Sequence, residues 1–116
     1  MRPDQGDDAH LWDMLEFARE VRGMIAGVSY KRFLKDRKLM RAVERSVELI
    51  GEAARRVSPS RQAAHTDIPW RRIIGLRNIL AHEYGRVDYE MLYKSAAEDV
   101  PELIRLLARV VKDAGR

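Results

Sequence analysis

The chain of 116 residues contains no cysteine, and this absence removes several kinds of chemistry. Without thiols it can form no disulfide scaffold, no thiolate nucleophile and no zinc site held by cysteine. No apolar run approaches the roughly 20 residues needed to cross a bilayer. The first residues also lack the basic start and apolar core of a secretory signal. We therefore expect a cytoplasmic protein, and the length predicts a single domain over residues 1–116.

Strand signals are missing as well, whereas helical periodicity is present throughout the chain. No segment alternates apolar and polar residues, and no Asn-Gly pair marks a hairpin. Apolar residues instead recur at spacings of three and four, which is the period of one helix face. The clearest stripe is Leu39, Val43, Val47, Ile50, Ala54 and Val57. The pattern predicts an all-α fold, an up-down bundle of four main helices with short helical pieces.

Polar residues and glycine predict the helix boundaries in the first half of the chain. Asp7 and Asp8 are suited to begin the first long helix, because carboxylates accept from the free amides of a first turn. Gly27 is suited to follow the end of that helix. A short helical piece is expected at residues 30–34, and Asp36 can cap the second long helix.

The second half of the chain is expected to hold a loop and two further long helices. We expect a loop from Ser58 to about Thr66, after which Pro69 suits the first turn of the third long helix. This helix is expected to continue to Gly85. Asp88 can cap the last helix, and Pro101 inside it predicts a kink or break, because proline cannot donate to a preceding carbonyl.

Positive charge is concentrated in one part of the chain. The net charge is +4, but residues 31–61 alone carry 10 basic and 4 acidic side chains. One interpretation is a solvated helix face, and the other is a rim that follows an RNA backbone without reading its bases. No cluster of aromatic residues for base stacking is evident in this segment. The basic residues at its start are Lys31, Arg32, Lys35, Arg37, Lys38 and Arg41.

The histidines are His10, His65 and His82, and they lack the spacing of a metal site. We expect His10 and His65 on the surface. His82 differs, because it shares a predicted helix with Arg77 and Asn78. Asn78 and His82 are four residues apart and therefore neighbours on one helix face. Arg77 and His82 point roughly 140° apart, a gap that a long arginine side chain or a second copy of the helix could close.

The helix around these polar residues is otherwise apolar, so we expect it to be mostly buried. A buried Arg77 needs an acidic partner, because an unpaired charge in the interior costs several kcal/mol. Glu83 is one candidate, and Glu52 on the preceding long helix is another. Gly51 beside it costs about 1 kcal/mol relative to alanine in a helix, which suggests that it permits a close helix approach.

Arginine and histidine without thiol or metal permit a limited chemistry. Histidine can transfer a proton near neutral pH, and arginine can bind phosphate and stabilise its developing charge. Together they suit cleavage of an RNA phosphodiester, in which the adjacent 2′-hydroxyl is the nucleophile. Spacing alone leaves two interpretations open, since Arg77 and His82 could equally be a satisfied polar pair of the core.

The run from Arg77 to Tyr84, with the pattern Arg-Asn-x-x-x-His-x-Tyr, resembles a known signature. It is similar to that of the HEPN superfamily and, within it, of the HepT-like toxins of HEPN/MNT toxin–antitoxin modules. The resemblance covers nearly the whole chain. Further matching pieces, in the same order as in that family, are Phe33 with Asp36, Ile50-Gly51-Glu52-Ala53, Ile68-Pro69-Trp70 and Val100-Pro101-Glu102-Leu103.

The resemblance implies an all-α domain that forms a homodimer and cleaves RNA without a metal or other cofactor. It implies that Arg77 and His82 are the catalytic pair, at a cleft shared by two copies, and that Asn78 supports them. It further implies a cognate nucleotidyltransferase of the MNT type as antitoxin, and transfer of AMP to Tyr84 as one means of silencing.

Two alternatives remain at this stage. The chain could be a non-catalytic accessory subunit that helps a nucleotidyltransferase hold its substrate, although such a subunit would not need an intact Arg–His motif. It could also be a plain helical interaction protein with a polar pair in its core.

Overall fold

The computed structural model describes residues 6–82 and 87–114 of the chain. Within these ranges every regular element is helical, which confirms the all-α prediction. The elements are α1 (Gly6–Ile25), α2 (Tyr30–Lys35), α3 (Arg37–Arg56), α4 (Pro59–Ala64), α5 (Trp70–His82), α6 (Tyr89–Lys94), a π-helical turn (Ser95–Asp99) and α7 (Val100–Ala114). None of the described helices is long and apolar enough to span a membrane.

The starts of α3 and α6 follow local capping chemistry, as the sequence predicts. The predicted caps Asp7 and Asp8 are wrong, because α1 already begins at Gly6 and their carboxylates accept from Ser58 and Arg61 instead. The Asp36 carboxylate accepts from the Leu39 amide at 3.0 Å and begins α3. The Asp88 carboxylate accepts from the Met91 amide at 3.1 Å and begins α6. Gly27 follows α1 with a φ of +73°, a backbone conformation that favours glycine because it has no Cβ.

The predicted loop from Ser58 to Thr66 is wrong in part, because it contains helix α4. A Ser-Pro pair ends one helix, but the same two residues also suit the beginning of the next. The Ser58 hydroxyl accepts from the Arg61 amide at 3.3 Å, and Pro59 occupies the first helical position. Asp7 holds this turn against the start of α1, since its carboxylate accepts from the Ser58 amide at 2.8 Å and from its hydroxyl at 2.6 Å.

The main helices pack around a single apolar core. Helix α1 contacts both α3 and α7, while α5 packs against α3. The stripe of α3 points inward as predicted, since Val43, Val47, Ile50, Ala54 and Val57 are all buried. Its first member, Leu39, is only partly buried at the edge of the core.

The last helical stretch is interrupted just before Pro101, where the sequence predicts a kink or break. The structure makes this break as the π-helical turn Ser95–Asp99, in which the Val100 amide donates to the Ser95 carbonyl. A wider turn accommodates a residue that disturbs the regular helical ladder. The predicted apolar lining is nevertheless continuous across the break, because Leu92, Ala96, Leu103, Leu107 and Val110 are all buried.

The expectation that the third long helix is mostly buried is wrong for this chain on its own. In α5 only Trp70 and Leu80 are buried. Ile73, Ile74 and Leu76 are partly buried, and Ile79 is 42% exposed. Because α5 packs against α3 with one face, its apolar residues on the other side remain accessible.

Candidate active site

Helix α5 lies unusually close to α3 at Gly51, directly beside Arg77. A Cβ atom at position 51 would lie 2.2 Å from the Arg77 Cβ and 3.0 Å from the Ile73 carbonyl oxygen. No ordinary side chain fits in that space. The close helix approach expected of Gly51 is therefore confirmed, and it brings the base of the Arg77 side chain onto α3.

Glu52, the next residue of α3, is the acidic partner of Arg77. One oxygen, Oε2, accepts a hydrogen bond from Arg77 Nε at 2.8 Å and forms an ion pair with Nη2 at 2.7 Å. The third nitrogen, Nη1, donates to the Asn78 side-chain oxygen at 3.0 Å. The Arg77 side chain is only 15% exposed, so these contacts provide the compensation that a largely buried guanidinium requires.

The charge of Glu52 responds to this environment. Burial raises the pKa of the Glu52 carboxyl, but the neighbouring charges of Arg77, Arg55 and Arg56 and the hydrogen bond from Arg77 outweigh it. The net result is a pKa below the ordinary value of 4.5. Glu52 is therefore ionised at neutral pH and holds Arg77 with a full charge.

Arg77 and His82 line one groove of about 850 Å³. His82 is the last residue of α5 and is exposed. No hydrogen bond joins the two side chains in the described part of the chain. The opposite wall comes from the first turns of α3, which contribute Arg37 and Arg41.

The carboxylates in the same groove are already engaged by neighbouring side chains. Glu44 accepts a hydrogen bond from the Tyr89 hydroxyl at 2.7 Å, and Glu48 forms an ion pair with Arg45. The pKa of Tyr89 is raised, first by burial and then by the hydrogen bond and charge of Glu44. Arg37 and Arg41 are without such a partner among the described residues and stay available for an anion.

Aromatic side chains border the basic segment, although the sequence there shows no aromatic cluster. Tyr30 and Phe33 of α2 each have their ring centroid 5.4 Å from that of Tyr93, and Phe33 lies 6.4 Å from Tyr89. The Tyr93 hydroxyl donates to the Val28 carbonyl. The cluster is missed from sequence because its two halves lie on α2 and α6, far apart along the chain, and only packing brings them together.

The remaining candidate residues lie in varied places. Asn78 is exposed and contacts Arg77 rather than His82. His10 is half-buried in a second groove that Arg77 also lines. His65 is half-buried as well, and its backbone carbonyl accepts from the Trp70 indole N–H at 2.9 Å.

Three candidate positions lie outside the described residues: Glu83, the predicted modification site Tyr84 and the predicted helix end Gly85. No group of three potential metal ligands occurs within residues 6–82 and 87–114.

The described helices form a small all-α domain in which an arginine and a histidine line one groove. Comparison with known proteins then assigns the family, since the model described as "Ribonuclease HepT-like" matches residues 14–110. The chain therefore belongs to the HepT-like ribonuclease family of the HEPN superfamily.

Individual relatives cover most of the chain. A Methanocaldococcus jannaschii protein named "Putative RNase" is 38% identical over 95 residues, which are 82% of this chain and 87% of the relative. A Thermococcus cleftensis protein named "Probable ribonuclease HepT" is 34% identical over 94 residues, covering 81% and 86%. A Caldanaerobacter subterraneus relative, also named as an RNase, is 33% identical over 103 residues, covering 89% of each chain. No solved structure matches the chain at a significant level.

Proposed function

We propose that this protein is a metal-independent endoribonuclease, the toxin of a HEPN/MNT toxin–antitoxin pair. The observation that carries the proposal is the groove that Arg77 and His82 share, with Arg37 and Arg41 on its opposite wall. Family membership and the names of the relatives agree with a ribonuclease.

In the proposed reaction, His82 removes the proton from a ribose 2′-hydroxyl. The 2′-oxygen then attacks the adjacent phosphorus, the bond between phosphorus and the 5′-oxygen breaks, and the leaving oxygen takes up a proton. The products are a 2′,3′-cyclic phosphate and a 5′-hydroxyl end. Arg77 stabilises the negative charge that develops on the phosphate, since a preorganised guanidinium is an effective donor to such oxygens.

A homodimer would complete the site. One His82 has to act as base and another group as acid, and the His82 of a second copy would serve as that acid. Support for the dimer comes from α5, where Ile79 is 42% exposed immediately after Asn78. An exposed apolar residue on the same helix as Arg77 and His82 is suited to contact a second copy of that helix.

The experiment that tests the ribonuclease proposal is RNA cleavage by the purified protein in excess EDTA. The parent should cleave, and Arg77→Ala and His82→Ala should each lose at least about 100-fold in rate. Arg71→Ala and His65→Ala are the matched controls, because they remove the same side-chain types outside the groove. A His82→Ala protein that cleaves as fast as the parent would contradict the mechanism, and a parent without activity would favour the accessory-subunit alternative.

For regulation we propose transfer of AMP from ATP to Tyr84 by the MNT nucleotidyltransferase. The Tyr84 hydroxyl oxygen would attack the α-phosphate, pyrophosphate would leave, and the hydroxyl proton would pass to solvent. The added bulk and negative charge would compete with RNA phosphate for the groove cations. Mass spectrometry should find one adenylyl group on Tyr84 only when partner and ATP are both present. Inhibition of an unmodified Tyr84→Phe protein by the partner would instead indicate occlusion.

A further inference from the structure

Among the described residues, the basic side chains at the junction of α2 and α3 form no ion pair, whereas most other arginines do. Elsewhere in the described chain, arginines commonly form ion pairs within side-chain reach: Arg19, Arg45, Arg55, Arg56, Arg61, Arg72, Arg77 and Arg105 all do so. The six basic residues from position 31 to position 41 form none with any described residue. An uncompensated cluster of this kind is the electrostatic footprint of a polyanion.

The cluster occupies a concavity of its own. A depression of about 480 Å³ at the α2–α3 junction is lined by Arg32, Lys35, Arg37 and Lys38. Arg37 also lines the larger groove of Arg77 and His82. The two concavities therefore meet at Arg37, and a chain of phosphates leaving the groove on this side would pass directly onto the junction.

The one carboxylate in the depression does not cancel its charge. Asp36 lies there, but its carboxylate accepts from the Leu39 amide at 3.0 Å and serves as the cap of α3. The three cations that belong to the depression alone, Arg32, Lys35 and Lys38, are all exposed. The lining of the depression thus contains four basic side chains and one carboxylate, and an oxygen of that carboxylate accepts from a backbone amide.

We propose that the α2–α3 junction is an anchor site for the phosphate backbone of the RNA substrate, outside the cleavage groove. This inference rests on the proposed ribonuclease function and adds to it a preference for long RNA. Phosphate contacts of lysine and arginine give affinity that ignores base sequence and falls with salt. A short substrate occupies only the groove, whereas a longer strand gains the contacts of Arg32, Lys35 and Lys38 as well.

The test compares binding of two single-stranded RNAs to the His82→Ala protein, which should bind without cutting. One is a dinucleotide, and the other is an oligonucleotide of about 16 nucleotides. The test variant, called the junction variant, carries the three substitutions Arg32→Gln, Lys35→Gln and Lys38→Gln. The control triple variant, Arg22→Gln, Arg71→Gln and Arg109→Gln, removes the same charge from helical arginines elsewhere that form no ion pair within 4.0 Å of a described residue. Glutamine has a helix propensity close to that of arginine and lysine, so the helices should persist.

The junction variant should bind the long RNA at least about tenfold more weakly than the control variant does. For the junction variant, the slope of log affinity against log salt concentration should be shallower by about 2. Each of the three lost phosphate contacts contributes about 0.7 to that slope for a single strand. Equal affinity of both triple variants for the long RNA would overturn the anchor site. The ribonuclease proposal is tested separately, by whether the unsubstituted protein cleaves RNA in EDTA. The two proposals can therefore fail independently of each other.

Discussion

The Nε and Nη2 atoms of Arg77 lie 2.8 and 2.7 Å from the same carboxylate oxygen of Glu52. The remaining nitrogen, Nη1, contacts Asn78 at 3.0 Å. All three guanidinium nitrogens are therefore engaged by the protein itself, which fixes the plane of the group. Such preorganisation is what stabilisation of a developing phosphate charge requires.

The contact of Gly51 with Arg77 leads to a prediction about stability. Gly51→Ala should destabilise the fold by about 1–3 kcal/mol, because its Cβ would lie 2.2 Å from the Arg77 Cβ and helix α5 would have to move. Gly23→Ala is the control, since that position has no atom within 4 Å of an added Cβ. Gly23→Ala should gain up to about 1 kcal/mol from helix propensity. Urea unfolding measures both, and equal effects would contradict the close packing.

The ionised state of Glu52 predicts a pH dependence of stability. Its pKa is lower in the fold than the ordinary 4.5, so the folded state favours the charged form. The stabilisation of the fold by ionised Glu52 is fully present above pH 4.5. It is lost as the pH falls through the lower pKa that Glu52 has in the folded state. The variant Glu52→Gln should be less stable than the parent at pH 7 by about 1 kcal/mol. In acid the gap should close, and a gap independent of pH, measured by urea midpoints, would refute this assignment.

Glu52 should also act as a positioning residue for the reaction. With Glu52→Gln the charge-assisted contacts to Arg77 are weakened, and we expect kcat for RNA cleavage to fall by about tenfold with a smaller change in KM. Glu90→Gln is the control, because it removes an exposed carboxylate paired only with Lys94. If kcat is unchanged while stability at pH 7 falls, Glu52 serves the fold alone.

The exposed Ile79 of α5 predicts how the proposed dimer can be tested. Ile79→Glu should raise the dimer dissociation constant at least about tenfold, because it would bury a charge in the interface. RNA cleavage should fall in parallel if two copies share the site. Ala63→Glu on the exposed surface of α4 introduces the same charge elsewhere and should change neither property. Sedimentation analysis would show this, and a dimer unaffected by Ile79→Glu would place the interface on another surface.

Local features of the fold can be read from the sequence with good success. The stripe of α3, the caps Asp36 and Asp88 and the break before Pro101 are all found where periodicity and capping chemistry predict them. The segment from Ser58 to Thr66 is the main error. Its Ser-Pro signal marks both a helix end and a helix start, and the contact of Ser58 with the distant Asp7 helps to fix the second.

The candidate site is only partly a local property. Arg77, Asn78 and His82 become candidates from the sequence because they share one predicted helix and match the family resemblance. The wall formed by Arg37 and Arg41 cannot, since it depends on where α3 passes α5.

The sequence by itself therefore determined the long helices, the caps at Asp36 and Asp88 and the residue types available for chemistry, because these follow from interactions within a few residues. Only the tertiary structure decided that Glu52 binds Arg77, that the basic junction joins the groove at Arg37, and that Ile79 remains exposed. The close crossing of two helices at Gly51 brings Arg77 onto α3. Helical period alone does not specify which faces meet or how near they come.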